Sequence, residues 1–487
     1  MHLLSLLLLQ DAPAPLAEPA LDQGGPPPEA PADPAACPAA REATLQTGPR
    51  PHKQAKEALE AWAFPSLTPD QEEAREGIRT DGLVVLHQGQ LVYERYDRGY
   101  TEDSPHLLWS ATKTWTNALA GIAVQQGKLD IDASICEHIE VGLPEHCDIT
   151  PRHLMEFSSG LDWRETYEGD PPTTSTVIAM LYGAGRDDMA AYVLSTPRRA
   201  EPGTTWQYSS GDTNVLAAVV QAALGEEDPE ELLLGPLQLD SAVWERDERG
   251  TLVGSSYGYA TPRDMARFGL FLADDGCWEG QRLLPEGWLE QSRAPAPTLR
   301  LATLDRRPGD VNGWQMWLNR ALPEQGEPMG PWPSAPEDTF AAMGHWKQAI
   351  LVIPSADMVI VRTGDDRDGS FSWDTLLAHS LALVGHQVAM PGFEAAALTA
   401  RNSDSESRKE ETGLLGIGAA YGAKLACSCA FVMDRDEDFC RAWIRASPDI
   451  VNVRFDHEER RVSARALGMV KTTASWRGPR AGCTLDP

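Results

Sequence analysis

Two strand pairs frame most of this chain and constrain its fold more than any other feature. Leu83-Val84-Val85-Leu86 and Leu91-Val92-Tyr93 flank the turn sequence His87-Gln88-Gly89-Gln90. Far downstream, Ala349-Ile350-Leu351-Val352-Ile353 and Met358-Val359-Ile360-Val361 bracket Pro354-Ser355-Ala356-Asp357. Each is an apolar, β-branched pair of runs around a short polar turn, the pattern of a hairpin. The sequence between them reads mainly as helix. Thr150 before Pro151 starts one, because Pro is tolerated at the first helical position. Residues 213–224, 263–273 and, past the second hairpin, 375–384 supply three more. Residues 164–188 read as a polar loop over a cleft with one short helix near Ile178–Tyr182. Strands at both ends with helices between them predict an α+β fold. Its antiparallel β-sheet is assembled from both ends of the region and flanked by helices, with an inserted helical subdomain.

Within that frame, Trp109-Ser110-Ala111-Thr112-Lys113 carries the clearest chemical signal. Trp115, Ala118, Leu119, Ile122 and Ala123 follow at helical spacing, and Gly127 stands where a left-handed C-terminal residue belongs. A helix starting near Ser110 places the serine at the positive end of the helix dipole. It also puts Lys113, three residues on, over the same face. A serine hydroxyl needs a base to become a nucleophile, and a lysine desolvated by apolar neighbours can serve. The chain has eight Lys among 42 Lys and Arg, and Ser110 is the only Ser with Lys three positions later. Lysine retained where arginine dominates points to a group that must release its proton. The bland reading is a helix-capping Ser beside a solvated Lys.

Length and composition set the outer limits. A chain of 487 residues accommodates two or three domains. The expected organisation is a signal-peptide-like start over 1–20, a Pro/Ala-rich linker over 21–57, the frame described above over 58–392, a charged Ser-rich linker over 393–412, and a small Cys-containing β-rich module over 413–487. The formal net charge of −30 argues against nucleic acid and an anionic membrane surface as partners. The apolar run Leu3–Leu9 resembles the core of a signal peptide without its positive flank. With an even count of eight Cys it predicts a periplasmic or secreted protein. Cys136 and Cys147 are close enough in sequence to pair; Cys427, Cys429, Cys440 and Cys483 allow three pairings. No Cys/His spacing suits zinc, so neither metal nor cofactor is expected.

In the last module, residues 449–455 and 461–466 alternate around His457-Glu458-Glu459 as another hairpin. Leu414–Val432 is apolar enough to suggest a membrane span, but its glycines and central Lys424 favour a buried segment, so no stable span is expected.

Three segments in order carry a family resemblance: Ser110-Ala111-Thr112-Lys113, Tyr208-Ser209-Ser210 and Gly344-His345-Trp346-Lys347-Gln348. Together they resemble the β-lactamase-related serine hydrolases, which include class C β-lactamases, DD-peptidases and esterases and amide hydrolases on the same fold. The 6-aminohexanoate-dimer hydrolase-like branch is the most similar. Ser158-Ser159-Gly160-Leu161, Pro202-Gly203, residues 257–264 and Leu284-Pro285-Glu286-Gly287-Trp288 resemble that branch too. The resemblance spans roughly residues 58–390. It implies an acyl-enzyme on Ser110, with Lys113 and Tyr208 sharing the proton and an oxyanion hole formed by the backbone N–H groups of Ser110 and Gln348. Ser210, His345, Trp346 and Trp163 are the candidate substrate-binding residues.

The departures are informative. The family's Tyr-x-Asn is Tyr208-Ser209-Ser210 here, so a hydroxyl replaces an amide. Its Lys-Thr-Gly box is His345-Trp346-Lys347. Both changes favour an ester or amide substrate over a β-lactam. The resemblance places Glu165, in Trp163-Arg164-Glu165, near the site, but by itself it reads as a solvated surface residue; Tyr208 reads alternatively as a core tyrosine, and His345 alternatively as a cleft residue holding a loop. The last module resembles a small Cys-containing segment that usually precedes such a domain in bacterial relatives; it shares Gly416-Ile417-Gly418, Lys424–Ser428 and Gly482-Cys483-Thr484-Leu485.

The leading expectation is thus a serine hydrolase for a small ester, amide or peptide substrate. A β-lactamase or DD-peptidase is the alternative within the class. A non-catalytic binder of cell-wall peptides is the alternative outside it.

Overall fold

The structure, a computed structural model, describes residues 37, 45–167, 171–386, 413–445 and 450–486. The signal-peptide-like start and the 393–412 linker lie outside these residues. The main sheet has six strands: β1 (Thr80–His87), β2 (Gln90–Tyr96), β3 (Trp317–Leu318), β4 (Phe340–Gly344), β5 (Gln348–Ile353) and β6 (Met358–Gly364). They lie in the order β2-β1-β6-β5-β4-β3, every neighbour antiparallel. Both predicted hairpins are present. Gln88 and Gly89 turn the first with positive φ, the geometry that matches strand twist in a tight hairpin. The first hairpin then pairs with the last strand, Leu83 opposite Arg362 and Val85 opposite Ile360. The sheet is therefore closed by the two ends of the region, as its sequence predicts.

Helices cover both faces. They are α1 (Lys53–Ala63), α2 (Thr112–Gln125), α3 (Ser210–Leu224), α4 (Pro262–Ala273) and α5 (Trp373–Leu383). Leu59 of α1 and Leu376, Leu377 and Leu381 of α5 pack on Leu83, Val85 and Leu351. The alternate residues Val84, Leu86, Ile350 and Val352 face the opposite way, into the core that holds Phe268 of α4. All residues of β5 and β6 are buried, as expected for strands covered on both sides. Helix α4 comes so near that a Cβ on Gly269 would sit 2.4 Å from Val359 Cγ1.

Helix α1 begins at Lys53, inside the stretch expected to be linker, because Leu59 and Ala63 give it an apolar face to bury on the sheet. The helix at Pro151–Met155 starts as read: Thr150 Oγ1 accepts from His153 N, and the His153 ring accepts from Thr150 N. The short helix expected at 178–182 runs Thr176–Tyr182. A helix not legible in the sequence, Met189–Leu194, is started by Asp188 accepting from Ala191 N. Its six residues are too few to show a period.

The C-terminal module consists of α6 (Leu414–Phe431), α7 (Glu437–Trp443) and a four-stranded antiparallel sheet of β7 (Val451–Asp456), β8 (Arg461–Ala466), β9 (Val470–Gly478) and β10 (Gly482–Leu485). Strands β7 and β8 are the predicted hairpin; Asp449, at its expected start, lies outside the described residues. Helix α6 is the one described helix long and apolar enough to cross a membrane. Here it forms the module's core. Its central Lys424 is buried against Glu245 of the larger domain, and Ser428 Oγ donates to the same carboxylate at 2.6 Å. Four disulfides join Cys37–Cys277, Cys136–Cys147, Cys427–Cys483 and Cys429–Cys440. They suit an oxidising compartment, outside the cytosol.

Candidate active site

Ser110 stands in a single 3-10 turn, Trp109–Ala111, that runs into α2. The residue before it, Trp109, has φ +50°, a left-handed conformation costly for a bulky side chain and common where a site is held under strain. The turn lies against β4 and β5. That approach depends on Gly344, where a Cβ would sit 2.0 Å from Leu108 O. The end of β4, carrying the third motif, is thereby pressed onto the segment carrying Ser110.

Lys113 is 2 % exposed. Its Nζ donates to Ser110 Oγ at 3.0 Å, to Ser210 Oγ at 2.9 Å and to the Ser255 carbonyl at 3.1 Å. Burial brings its pKa down from 10.5 to about 8, with the Glu165 carboxylate pulling the other way. A substantial share of Lys113 is therefore the free amine just above neutrality. In that form its lone pair faces the Ser110 hydroxyl across the same 3.0 Å.

Tyr208 is half-buried, its ring 4.9 Å from Phe157 and 5.5 Å from Trp317. Lys113 Nζ lies 5.0 Å from the Tyr208 ring centroid, so the phenol and amine of the first two motifs share one pocket wall. Ser209 caps α3 by accepting from Asp212 N, which fixes where Tyr208 leaves the loop and Ser210 enters the helix.

Glu165 corrects the sequence expectation of a solvated surface residue. It is 5 % exposed. Its carboxylate accepts from Trp163 Nε1 and Tyr167 Oη, each at 2.6 Å, and from the Ser210 backbone N at 2.9 Å and Ser210 Oγ at 2.6 Å. Ser210 thus bridges Lys113 to a buried carboxylate. Trp163 is buried too, with its indole N–H committed to Glu165.

The third motif forms a tight turn between β4 and β5, with Trp346 at φ +53° and Lys347 at φ +70°. The Gln348 side chain braces it from beneath: Nε2 donates to Gly364 O at 2.6 Å and His345 O at 3.1 Å, and Oε1 accepts from Gly364 N at 2.9 Å. Arg362, buried and paired with Asp366, donates to Lys347 O at 2.9 Å. His345 packs among the rings of Tyr167 at 5.1 Å, Trp346 at 4.9 Å and Trp109 at 5.9 Å. On the far side, Arg367 covers the Trp346 ring at 3.6 Å, and Trp443 of the C-terminal module reaches to 6.5 Å.

The structure therefore brings Ser110, Lys113, Tyr208 and Ser210 into one cluster and sets His345 and Trp346 beside it through Trp109. Sequence reasoning missed Glu165 in its buried role, Tyr167 and the Ser255 carbonyl. The available signal was the Trp-x-Glu-x-Tyr alternation of 163–167, which puts two ring donors around one carboxylate. Among the described residues, no group of His, Cys, Asp or Glu side chains is arranged to hold a metal ion.

Comparison with known proteins bears on the family and the fold. The profile of the Beta-lactamase family matches residues 67–378. The 6-aminohexanoate-dimer hydrolase of Paenarthrobacter ureafaciens is 29 % identical over 245 residues, which is 47 % of this chain and 60 % of that protein. A solved structure from Bacillus anthracis, provisionally assigned as a 6-aminohexanoate-dimer hydrolase, is 25 % identical with a TM-score of 0.51, covering 67 % of this chain and 83 % of that one. One from Bacteroides dorei DSM 17855, provisionally assigned as a beta-lactamase, is 14 % identical with a TM-score of 0.50 over 68 % of this chain and 98 % of that one, a likeness of fold. The chain spans 60 % of the length of the curated hydrolase it matches, and it belongs to the Beta-lactamase family.

Proposed function

We propose that this protein cleaves an ester or amide bond of a small substrate through an acyl-enzyme on Ser110. One observation supports the reading above the rest: a buried lysine with a pKa of about 8, hydrogen-bonded to a serine in the first turn of a helix. Ser110 Oγ attacks the substrate carbonyl while its proton passes to neutral Lys113. The tetrahedral oxyanion takes hydrogen bonds from the backbone N–H groups of Ser110 and Gln348, each worth roughly 10²–10³-fold in rate. As the carbonyl carbon parts from the alcohol or amine, the Lys113–Tyr208 pair returns the proton to the leaving group. Water then repeats the sequence on the acyl-enzyme, giving up its proton to the same pair and restoring Ser110.

The aromatic surround of Trp109, Tyr167, His345 and Trp346 suits an uncharged acyl or alkyl chain better than an anionic one. The named relatives match part of their own length here, so their substrate enters only as a candidate. The test is a panel of p-nitrophenyl butyrate, 6-aminohexanoate dimer, nitrocefin and a D-Ala-D-Ala peptide, with wild type beside Ser110→Ala. Turnover of the ester or the linear amide, lost in the variant, supports the reading. Turnover of nitrocefin or the D-Ala-D-Ala peptide alone replaces it with the β-lactamase or DD-peptidase reading. No turnover with tight peptide binding replaces it with that of a binder.

A further inference from the structure

The turn between β8 and β9 breaks two local rules at once. Leu467 and Gly468 both have positive φ, +48° and +72°, and Met469 N donates to Ala466 O at 3.0 Å. Such a turn normally takes Asn and Gly, since a bulky side chain is strained in the left-handed region. Leu467 nevertheless stands there 59 % exposed, followed by Met469 at 70 %. Neither apolar side chain gains burial to offset that position. Directly behind the turn, Arg465 and Lys471 are cross-strand partners, both exposed. Like charges opposite each other destabilise a strand pair. Neither has a carboxylate partner among the described residues, nor does Arg454, one row further along the same face.

A third exposed apolar group lies in the same module. Gly418 of α6 approaches Ile450 and Val451, and Leu467 N donates to Ile450 O at 2.9 Å. Leu414, one helical turn before Gly418, is 45 % exposed. Three of the five large exposed apolar side chains among the described residues thus belong to one module of 75 residues, two of them in this turn.

Charge is distributed to match. Residues 413–487 carry 11 Lys and Arg against 9 Asp and Glu, a net of +2, while the rest of the chain carries 31 against 63, a net of −32. The total of −30 hides this asymmetry, and at physiological ionic strength charges more than about 8 Å away are largely screened from the tip. Local sequence features that cost folding stability and are repeated at one spot mark a surface selected for contact.

We propose that the Leu467–Met469 turn inserts into the interfacial layer of an anionic lipid bilayer, with Arg465 and Lys471 set against the headgroups. Exposed apolar residues with a basic collar bind an interface by adding apolar burial to attraction for anionic lipid. The cations' aliphatic stems extend the apolar surface while their heads stay at headgroup level. The module would then hold the hydrolase at a membrane surface.

The experiment is co-sedimentation of the full chain with vesicles of phosphatidylcholine alone and of phosphatidylcholine mixed with phosphatidylglycerol, at low and at physiological ionic strength. The variants are Leu467→Ser/Met469→Ser and Arg465→Glu/Lys471→Glu. All four residues are exposed, and unchanged melting temperatures check that the variants fold. The full chain should bind the anionic vesicles, weaken with salt, and lose roughly tenfold or more in partitioning in each variant. No binding to anionic vesicles, or equal binding by the variants, overturns the proposal. So does a soluble dimer of the full chain that Leu467→Ser/Met469→Ser dissociates, since the turn would then be a contact between copies.

Discussion

Glu165 and Lys113 are joined through one hydroxyl: Ser210 Oγ accepts from Lys113 Nζ at 2.9 Å and donates to Glu165 Oε1 at 2.6 Å. The carboxylate is thereby close enough to hold up the lysine pKa, yet is kept from a direct ion pair that would fix the ammonium. Desolvation and this carboxylate oppose each other, and desolvation is the larger, leaving a pKa of about 8.

If neutral Lys113 is the base, kcat/KM for an ester should rise with pH and level off above about 8. Glu165→Gln removes the negative charge that raises the pKa, so the midpoint of this rise should move to lower pH. An acid limb that stays in place in Glu165→Gln would separate the two residues. The measurement is a pH–rate profile with a neutral substrate, whose own ionisation does not contribute.

Lys113→Arg keeps the charge and much of the volume but cannot give up its proton at working pH. It should fold and lose most activity. Tyr208→Phe keeps the packing on Phe157 and Trp317 while removing the phenol, and kcat should fall about 10²-fold or more if that oxygen moves the proton. Steady-state kinetics with folding checked by circular dichroism decides both.

How far the sequence reached is clearest at these residues. Ser110 and Lys113 were legible because helical periodicity puts both on one face within a single turn. The sheet was legible because each hairpin is local, two apolar, β-branched runs around a short turn. Glu165 was not, since its burial comes from Trp163, Tyr167 and Ser210, two of them neighbours in a stretch without periodicity and the third 45 residues on. The Cys37–Cys277 and Lys424–Glu245 pairs likewise depend on packing between segments 240 and 179 residues apart, which no local pattern encodes.

Asp212 links stability to pH. Burial raises its pKa from 3.8 to about 7, against hydrogen bonds from Ser159 Oγ at 2.8 Å and Ser209 Oγ at 2.9 Å. A folded-state pKa above the unfolded one means its contribution is full below about 4 and is lost as pH rises through about 7. Asp212→Asn has no such dependence. Its melting temperature relative to wild type should therefore climb between pH 4 and 7, and a constant difference would show that Asp212 does not titrate in this range.

Substrate choice follows from the second and third motifs. Ser210 offers a single hydroxyl, already bonded to Lys113 and Glu165, and Trp346 fills space beside Trp109 at 5.4 Å. At neutral pH, kcat/KM for p-nitrophenyl butyrate should be well above that for nitrocefin. Equal or greater turnover of nitrocefin would reverse the order of the two readings.

The most direct measurement is covalent capture of the nucleophile. A fluorophosphonate probe reacts with a serine activated by an adjacent base and leaves a stable phosphonyl ester on its oxygen. Intact-mass analysis followed by peptide mapping should find one adduct per chain, on Ser110, formed faster as pH rises through about 8 and absent in Ser110→Ala and Lys113→Arg. An adduct on another residue, or no adduct while the folded protein hydrolyses an ester, would contradict the assignment of Ser110.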